Sequence, residues 1–227
     1  MTGYVTDYNS DEQHQPPRRI FFSTDYWLLS TDYLFMLATL IEIQRLKRLE
    51  RTGWTLRGLA PGAESVAAHS YGVAVAAMML ADELQARGVS IDVERLLRVA
   101  LMHDWAEARL GDMPRTGSVY FSADERRRAE RAAFDDIVRE SGASLKARYS
   151  ELHEDYEQRG SLEARLVKAA DIIDLLVQVL AFERAGSRGL DEFWDGVAER
   201  EFHLDGVAGE VVDEVLQRLL NARHEAR

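Results

Sequence analysis

A chain of 227 residues, 46% of them hydrophobic, suits one large domain with a substantial core, or one domain with an extension. Cysteine is absent, which excludes disulfides and thiolate metal sites and leaves histidine, carboxylate and water as ligands. A formal net charge of -11 argues against long nucleic acid, whose binding needs lysine and arginine against many phosphates, whereas a small anion needs only one or two arginines at a pocket.

Residues from Met1 to about Arg19 are polar, contain Pro16-Pro17 and lack periodicity. Residues 1–30 are therefore expected to be a mobile N-terminal extension without chemistry, His14 included. The start is polar where a signal peptide would be apolar, and no run of about 18 apolar residues occurs, so a cytoplasmic protein with no membrane partner is expected. From Thr31, a plausible N-cap, the apolar positions Leu34, Leu37, Ala38, Ile41, Leu46 and Leu49 predict a helix to about Arg51, and Gly53 stops it. The run from Arg45 to Arg51, followed by Arg57, is a local basic patch in an acidic protein. Trp54 lies in a loop marked by Gly58, Pro61 and Gly62, and serves either as core or as a wall for a flat ligand.

Residues from Glu64 to about Arg87 are apolar nearly all round, which predicts a central helix. His69 sits in its first turns, where a buried imidazole must find partners for both ring nitrogens. Gly88 closes that helix and Asp92 caps another, whose stripe of Val93, Leu96, Leu97, Ala100 and Leu101 delivers His103-Asp104 at its C-terminal end. Adjacent side chains cannot share one helical face, so a pair acting on one ligand belongs where the helix ends. A neutral imidazole nitrogen beside a hard carboxylate oxygen suits a borderline divalent ion such as Mn, Fe, Co or Zn. Glu107 follows four residues after His103, and Gly111-Asp112-Met113-Pro114 then breaks the local structure.

Helices are also predicted from Ser122 to about Glu140, with Arg126-Arg127-Arg128 and Arg131 as a solvated face, and from about Leu145 to Gln158, which carries His153, Glu154 and Asp155. A second central helix runs from Ser161 to about Ala185, with Asp171 and Asp174 sharing a stripe beside its apolar face; periodicity does not choose between them. Segments Leu190–Glu199 and Val207 to about Arg223 complete an all-helical count of roughly eight, without a repeat, a convincing strand or a linker to divide residues 31–225. Exposed aliphatics on the first and last helices make a homodimer plausible.

The ordered set His69, His103-Asp104, Asp171 resembles the HD-domain phosphohydrolase superfamily, whose motif is His, then His-Asp, then Asp on a helical bundle. Longer matches at Arg51-Thr52-Gly53-Trp54, around His69, at His103-Asp104-Trp105-Ala106-Glu107, at Gly111-Asp112-Met113-Pro114 and at Leu166 to Asp171 look like its 5'-deoxynucleotidase branch of YfbR type. They span about residues 31–185. The resemblance implies an all-α HD-domain bundle over residues 31–225, with one divalent metal held by His69, His103, Asp104 and Asp171. It implies Glu107 and Asp112 as the acidic pair that handles protons, Arg51 or Arg57 as the phosphate cation, and Trp54 as lining for sugar and base. The family's acidic residue before the last motif falls near Glu154 or Asp155. The expected reaction is removal of phosphate from (deoxy)ribonucleoside 5'-monophosphates by a metal-activated water. Two alternatives stand beside it: a hydrolase of nucleoside triphosphates or other small phosphoesters, and a non-catalytic HD domain that binds a nucleotide or a partner.

Overall fold

The computed structural model describes residues 36–225, so Thr31 and the expected extension lie outside the described residues. Six long helices carry the fold: α1 (Val66–Ala86), α2 (Val93–Met102), α3 (Ala123–Ile137), α4 (Ala143–Gln158), α5 (Leu162–Arg184) and α6 (Gly206–Glu225). Among the described residues there is no strand, only an isolated bridge between Glu50 and Ser65. None of their helices is long and apolar enough to cross a membrane.

Local chemistry sets the helix ends. The Ser65 side chain accepts from the Ala68 N–H, Asp92 from Arg95 and Ser161 from Ala164, while Ser122 and Glu125 form a reciprocal capping box. α5 buries residues on most of its circumference and so needs neighbours on several sides, whereas α1, apolar nearly all round in sequence, buries one broad face through Val66, Val73, Ala77 and Leu84 and leaves Tyr71 and Met79 exposed. The two helices pack along each other and against α2; α4 closes over α2 and α5, and α6 lies across α1 and α5. Side chains such as Leu84, Leu96, Leu166 and Leu176 are fully enclosed at these contacts. Each contributes about 1.5–3 kcal/mol relative to exposure. α3 turns its arginines outward: Arg131 pairs with Glu154 at 2.8 Å, Arg127 pairs with Asp124, and Arg126 caps the carbonyls of Ser118 and Phe121.

Two expectations are corrected. Residues 36–43 are helical, but the chain tightens to a 3-10 turn over Gln44–Lys47 and leaves the helix before Arg51, because Leu49 and Arg51 pair with Val66 and Glu64. Segment 190–199 is not a helix: a 3-10 turn at Asp191–Phe193 is flanked by Gly189 and Gly196 at φ 78° and 67°, outside helical space, while Leu190, Trp194 and Val197 anchor it in the core.

Candidate metal centre

Three elements converge on one point. α1 brings His69 from its first turn, the end of α2 brings His103 and Asp104, and the middle of α5 brings Asp171. The Nε2 of His69 lies 3.2 Å from Asp171 Oδ1 and 3.8 Å from Asp104 Oδ2, and the Nε2 of His103 lies 3.2 Å from Asp104 Oδ2. Two ligands on a shared cation at about 2.1 Å and right angles stand about 3.0 Å apart, so these spacings fit one ion. Both Nε2 atoms are buried and neither has a hydrogen-bond partner among the described residues. Unpartnered buried nitrogens are costly unless something else takes their lone pairs.

The other ring nitrogens decide which tautomer is present. His103 Nδ1 donates to the carbonyl of Ala100 at 2.7 Å, and His69 Nδ1 donates to Asp174 Oδ2 at 2.8 Å. Each bond puts the proton on Nδ1 and leaves Nε2 free to coordinate. Asp174, which periodicity left level with Asp171, thus holds the back of the imidazole that Asp171 faces from the front. Gly72 makes room for it, since a Cβ there would overlap the Asp174 carboxylate. The groups that could hold a metal by ligand-atom proximity include His69, His103 and Asp171 together.

Charges around this point are strongly coupled. Burial opposes ionisation of Asp104, yet His103, Arg51 and His69 hold it down to about 2. Asp171 is likewise held well below the ordinary range against burial, by Lys168 at 2.7 Å and by His69. Burial opposes charge on His69 too, but the carboxylates of Asp171 and Asp174 outweigh it and push the imidazole up to about 10, so without a cation Nε2 holds a second proton, which a metal ligated there would replace. Glu107, one turn past His103, moves the other way: burial, then Asp104 and Asp112, push it up to about 10, and its Oε2 is buried without a partner. Asp112 is fixed beside it, with Oδ2 accepting from the Thr52 N–H at 2.5 Å and its carbonyl accepting from the Thr52 hydroxyl at 2.7 Å.

A cleft of about 170 Å³ opens beside the cluster. Arg51 and Asp112 stand at the shared edge, and Trp54, Arg57, Glu192 and Phe193 form the far side. Trp54 is 2% exposed; its indole N–H donates to Glu64 at 2.6 Å and its ring packs on Phe182 and Phe193, so it is part of the core as well as of the cleft. Arg51 is ion-paired with Asp104 at 3.4 Å and Asp112 at 3.3 Å, and Arg57 with Glu192 at 2.5 Å. Asp155 is not brought to the cleft. Its carboxylate is taken by Arg95 at 2.7 Å and by the N–H and hydroxyl of Ser161, which corrects the expectation of a substrate contact there. Glu154 pairs with Arg131 at the surface. His153 is a core residue stacked on Phe134, 4.1 Å between ring centres.

The HD domain model matches residues 43–201, the stretch that contains all four convergent side chains. The chain belongs to the HD-domain family. Relatives include the 5'-deoxynucleotidase HDDC2 of Xenopus laevis, 32% identical over 71% of this chain and 77% of that protein. The 5'-deoxynucleotidase YGK1 of Saccharomyces cerevisiae is 31% identical over 70% and 73%. Among solved structures, a conserved hypothetical protein from Pyrococcus furiosus is 34% identical with a TM-score of 0.69, covering 82% of this chain and 99% of that one. Reasoning from sequence missed Asp174 as the holder of His69, Lys168 as the partner of Asp171, and two further arginines of the HD-domain cleft, Arg115 and Arg200. The i, i+3 spacing of Asp171 and Asp174 was a visible signal for the first; the arginines left none.

Proposed function

We propose that this HD domain is a phosphohydrolase that removes phosphate from (deoxy)ribonucleoside 5'-monophosphates. One observation carries the reading: two buried imidazole Nε2 atoms, both left free by Nδ1 hydrogen bonds, face Asp104 and Asp171 at the spacing of co-ligands. The motif resemblance and the names of the relatives support the substrate class. His69, His103, Asp104 and Asp171 would hold one divalent ion, Co, Mn, Fe or Zn. Bound there, such an ion supplies Lewis acidity toward a phosphoryl oxygen and a water acidified toward neutral pH.

The remaining steps belong to side chains. Glu107 sits one turn from His103 with an unpartnered oxygen, suited to hold or pass a proton at the attacking water. Asp112, immobilised by Thr52, meets the leaving 5'-oxygen or the sugar at the cleft edge. Arg51 lies between Asp104 and Asp112 and keeps them oriented. Trp54 floors the cleft for the nucleoside. The HD domain is assigned to residues 31–225, of which 36–225 are described, with residues 1–30 outside it, and the exposed Leu37, Leu40 and Ile41 suit self-association.

The test is phosphate release from a panel of nucleoside mono-, di- and triphosphates with metal analysis. Orthophosphate from monophosphates, lost in His103→Ala and in Glu107→Ala, is the expected result. Pyrophosphate or tripolyphosphate as product would make the protein a triphosphate hydrolase, and no turnover with any divalent ion would make it a binding domain.

A further inference from the structure

Four arginines line the cleft against two carboxylates, in a protein whose net charge is -11. Arg51 is committed to Asp104 and Asp112, and Arg57 to Glu192 and to the carbonyl of Gly53. Arg115 and Arg200 have no carboxylate at ion-pair distance among the described residues. They arrive from separate segments: Arg115 follows Asp112-Met113-Pro114, and Arg200 lies within the segment joining α5 to α6, its N–H donating to the Val197 carbonyl at 3.3 Å. Leu175, one helical turn past Asp171 on α5, lines the same cleft.

The two guanidinium groups feel each other. Burial and the charge of Arg115 both pull the pKa of Arg200 down, and only Asp171 opposes them. The charge of Arg115 also reaches Glu192, whose oxygens Arg57 already occupies. Two cations that share a cleft, Arg115 exposed and Arg200 partly buried, repel, and an anion between them reverses that. We propose that Arg115 and Arg200 form the anion clamp that receives the phosphate of the substrate monoester, the role that sequence reasoning gave to Arg51 or Arg57. The identity of the ligand rests on the phosphohydrolase reading; the existence of an anion site does not. Planar donors from two walls of the cleft grip a tetrahedral oxyanion, while the paired Arg51 and Arg57 would have to abandon a carboxylate first.

The experiment uses the metal-loaded full chain and inorganic phosphate as the probe, titrated calorimetrically, with nucleoside monophosphate kinetics alongside. Arg115→Gln and Arg200→Gln should each weaken phosphate binding about tenfold. KM for the monophosphate should rise in parallel and by more than kcat falls, with bound metal unchanged. Arg200→Lys should recover part of the loss. Phosphate affinity and KM within about twofold of the parent in the double variant, with equal metal content and melting temperature, would overturn the clamp. So would a loss confined to substrates bearing a second phosphate. If no nucleotide is turned over but the variants still lose phosphate, the clamp stands and the phosphohydrolase reading falls. If turnover persists at unchanged KM, the reverse holds.

Discussion

His69 is defined from both sides of its ring, and each side makes a separate claim. Asp174 fixes the tautomer through Nδ1, so its removal should loosen the ligand without touching the coordination sphere. Asp174→Ala is expected to lower affinity for Co or Mn by about 10- to 100-fold in a metal titration. Parent-level affinity would show that Asp174 has no hold on the ring. Gly72 belongs to the same unit, because a methyl there would overlap the Asp174 carboxylate. Gly72→Ala should therefore repeat the metal defect and also cost roughly 1–3 kcal/mol in urea denaturation. A variant with normal metal affinity would mean that the carboxylate moves aside freely.

Among the elements, α4 joins three helices through one acidic residue near its C-terminus. Asp155 accepts from Arg95 of α2 and from Ser161, the N-cap of α5, so it ties the frame that carries His103-Asp104 to the frame that carries Asp171. Asp155→Ala should cost roughly 1–3 kcal/mol of stability. It should leave KM for a nucleotide unchanged, whereas a raised KM at intact stability would restore the substrate contact expected from sequence. Two residues earlier, His153 stacks on Phe134. Burial lowers its pKa below 6.5, against the pull of Glu157, Asp135 and Glu154 and with the help of Arg131. The unfolded chain then binds the extra proton first, so this group's contribution is present above 6.5 and is lost as pH falls below it. His153→Gln should flatten the decline in the urea midpoint between about pH 7.5 and 5.5. An unchanged slope would remove His153 as its cause.

Across the whole molecule, the packing of α1, α2 and α5 concentrates ionised Asp104 and Asp171, a Glu107 pushed up to about 10 and the partly buried Arg51 in one place. A cation bound there binds the folded state and not the unfolded one, so it must stabilise the fold by mass action. Protein stripped with a chelator is expected to melt lower than the loaded form. Readdition of Co or Mn should raise Tm saturably, equivalent to about 2.7 kcal/mol at a hundredfold excess over Kd. His103→Ala should lose that response. A melting temperature indifferent to every divalent ion would count against a metal at the convergence of these helices.

The amino-acid sequence alone determined the six long helices and the order of the four convergent residues, because caps, glycine stops and apolar periodicity act over a few neighbouring positions. Ser65, Asp92, Ser122 and Ser161 stand at helix starts, and the His-Asp pair stands at a helix end, as local chemistry requires. The tertiary structure decided which carboxylate answers which cation. His69 meets Asp174 across 105 residues, Arg51 meets Asp104 across 53 and Arg57 meets Glu192 across 135. It also placed Asp155 at a helix junction and left Arg115 and Arg200, among the described residues, without a carboxylate partner in the cleft. Ion pairing depends on separations of a few ångströms, and for residues so far apart along the chain those separations exist only after the helices have packed.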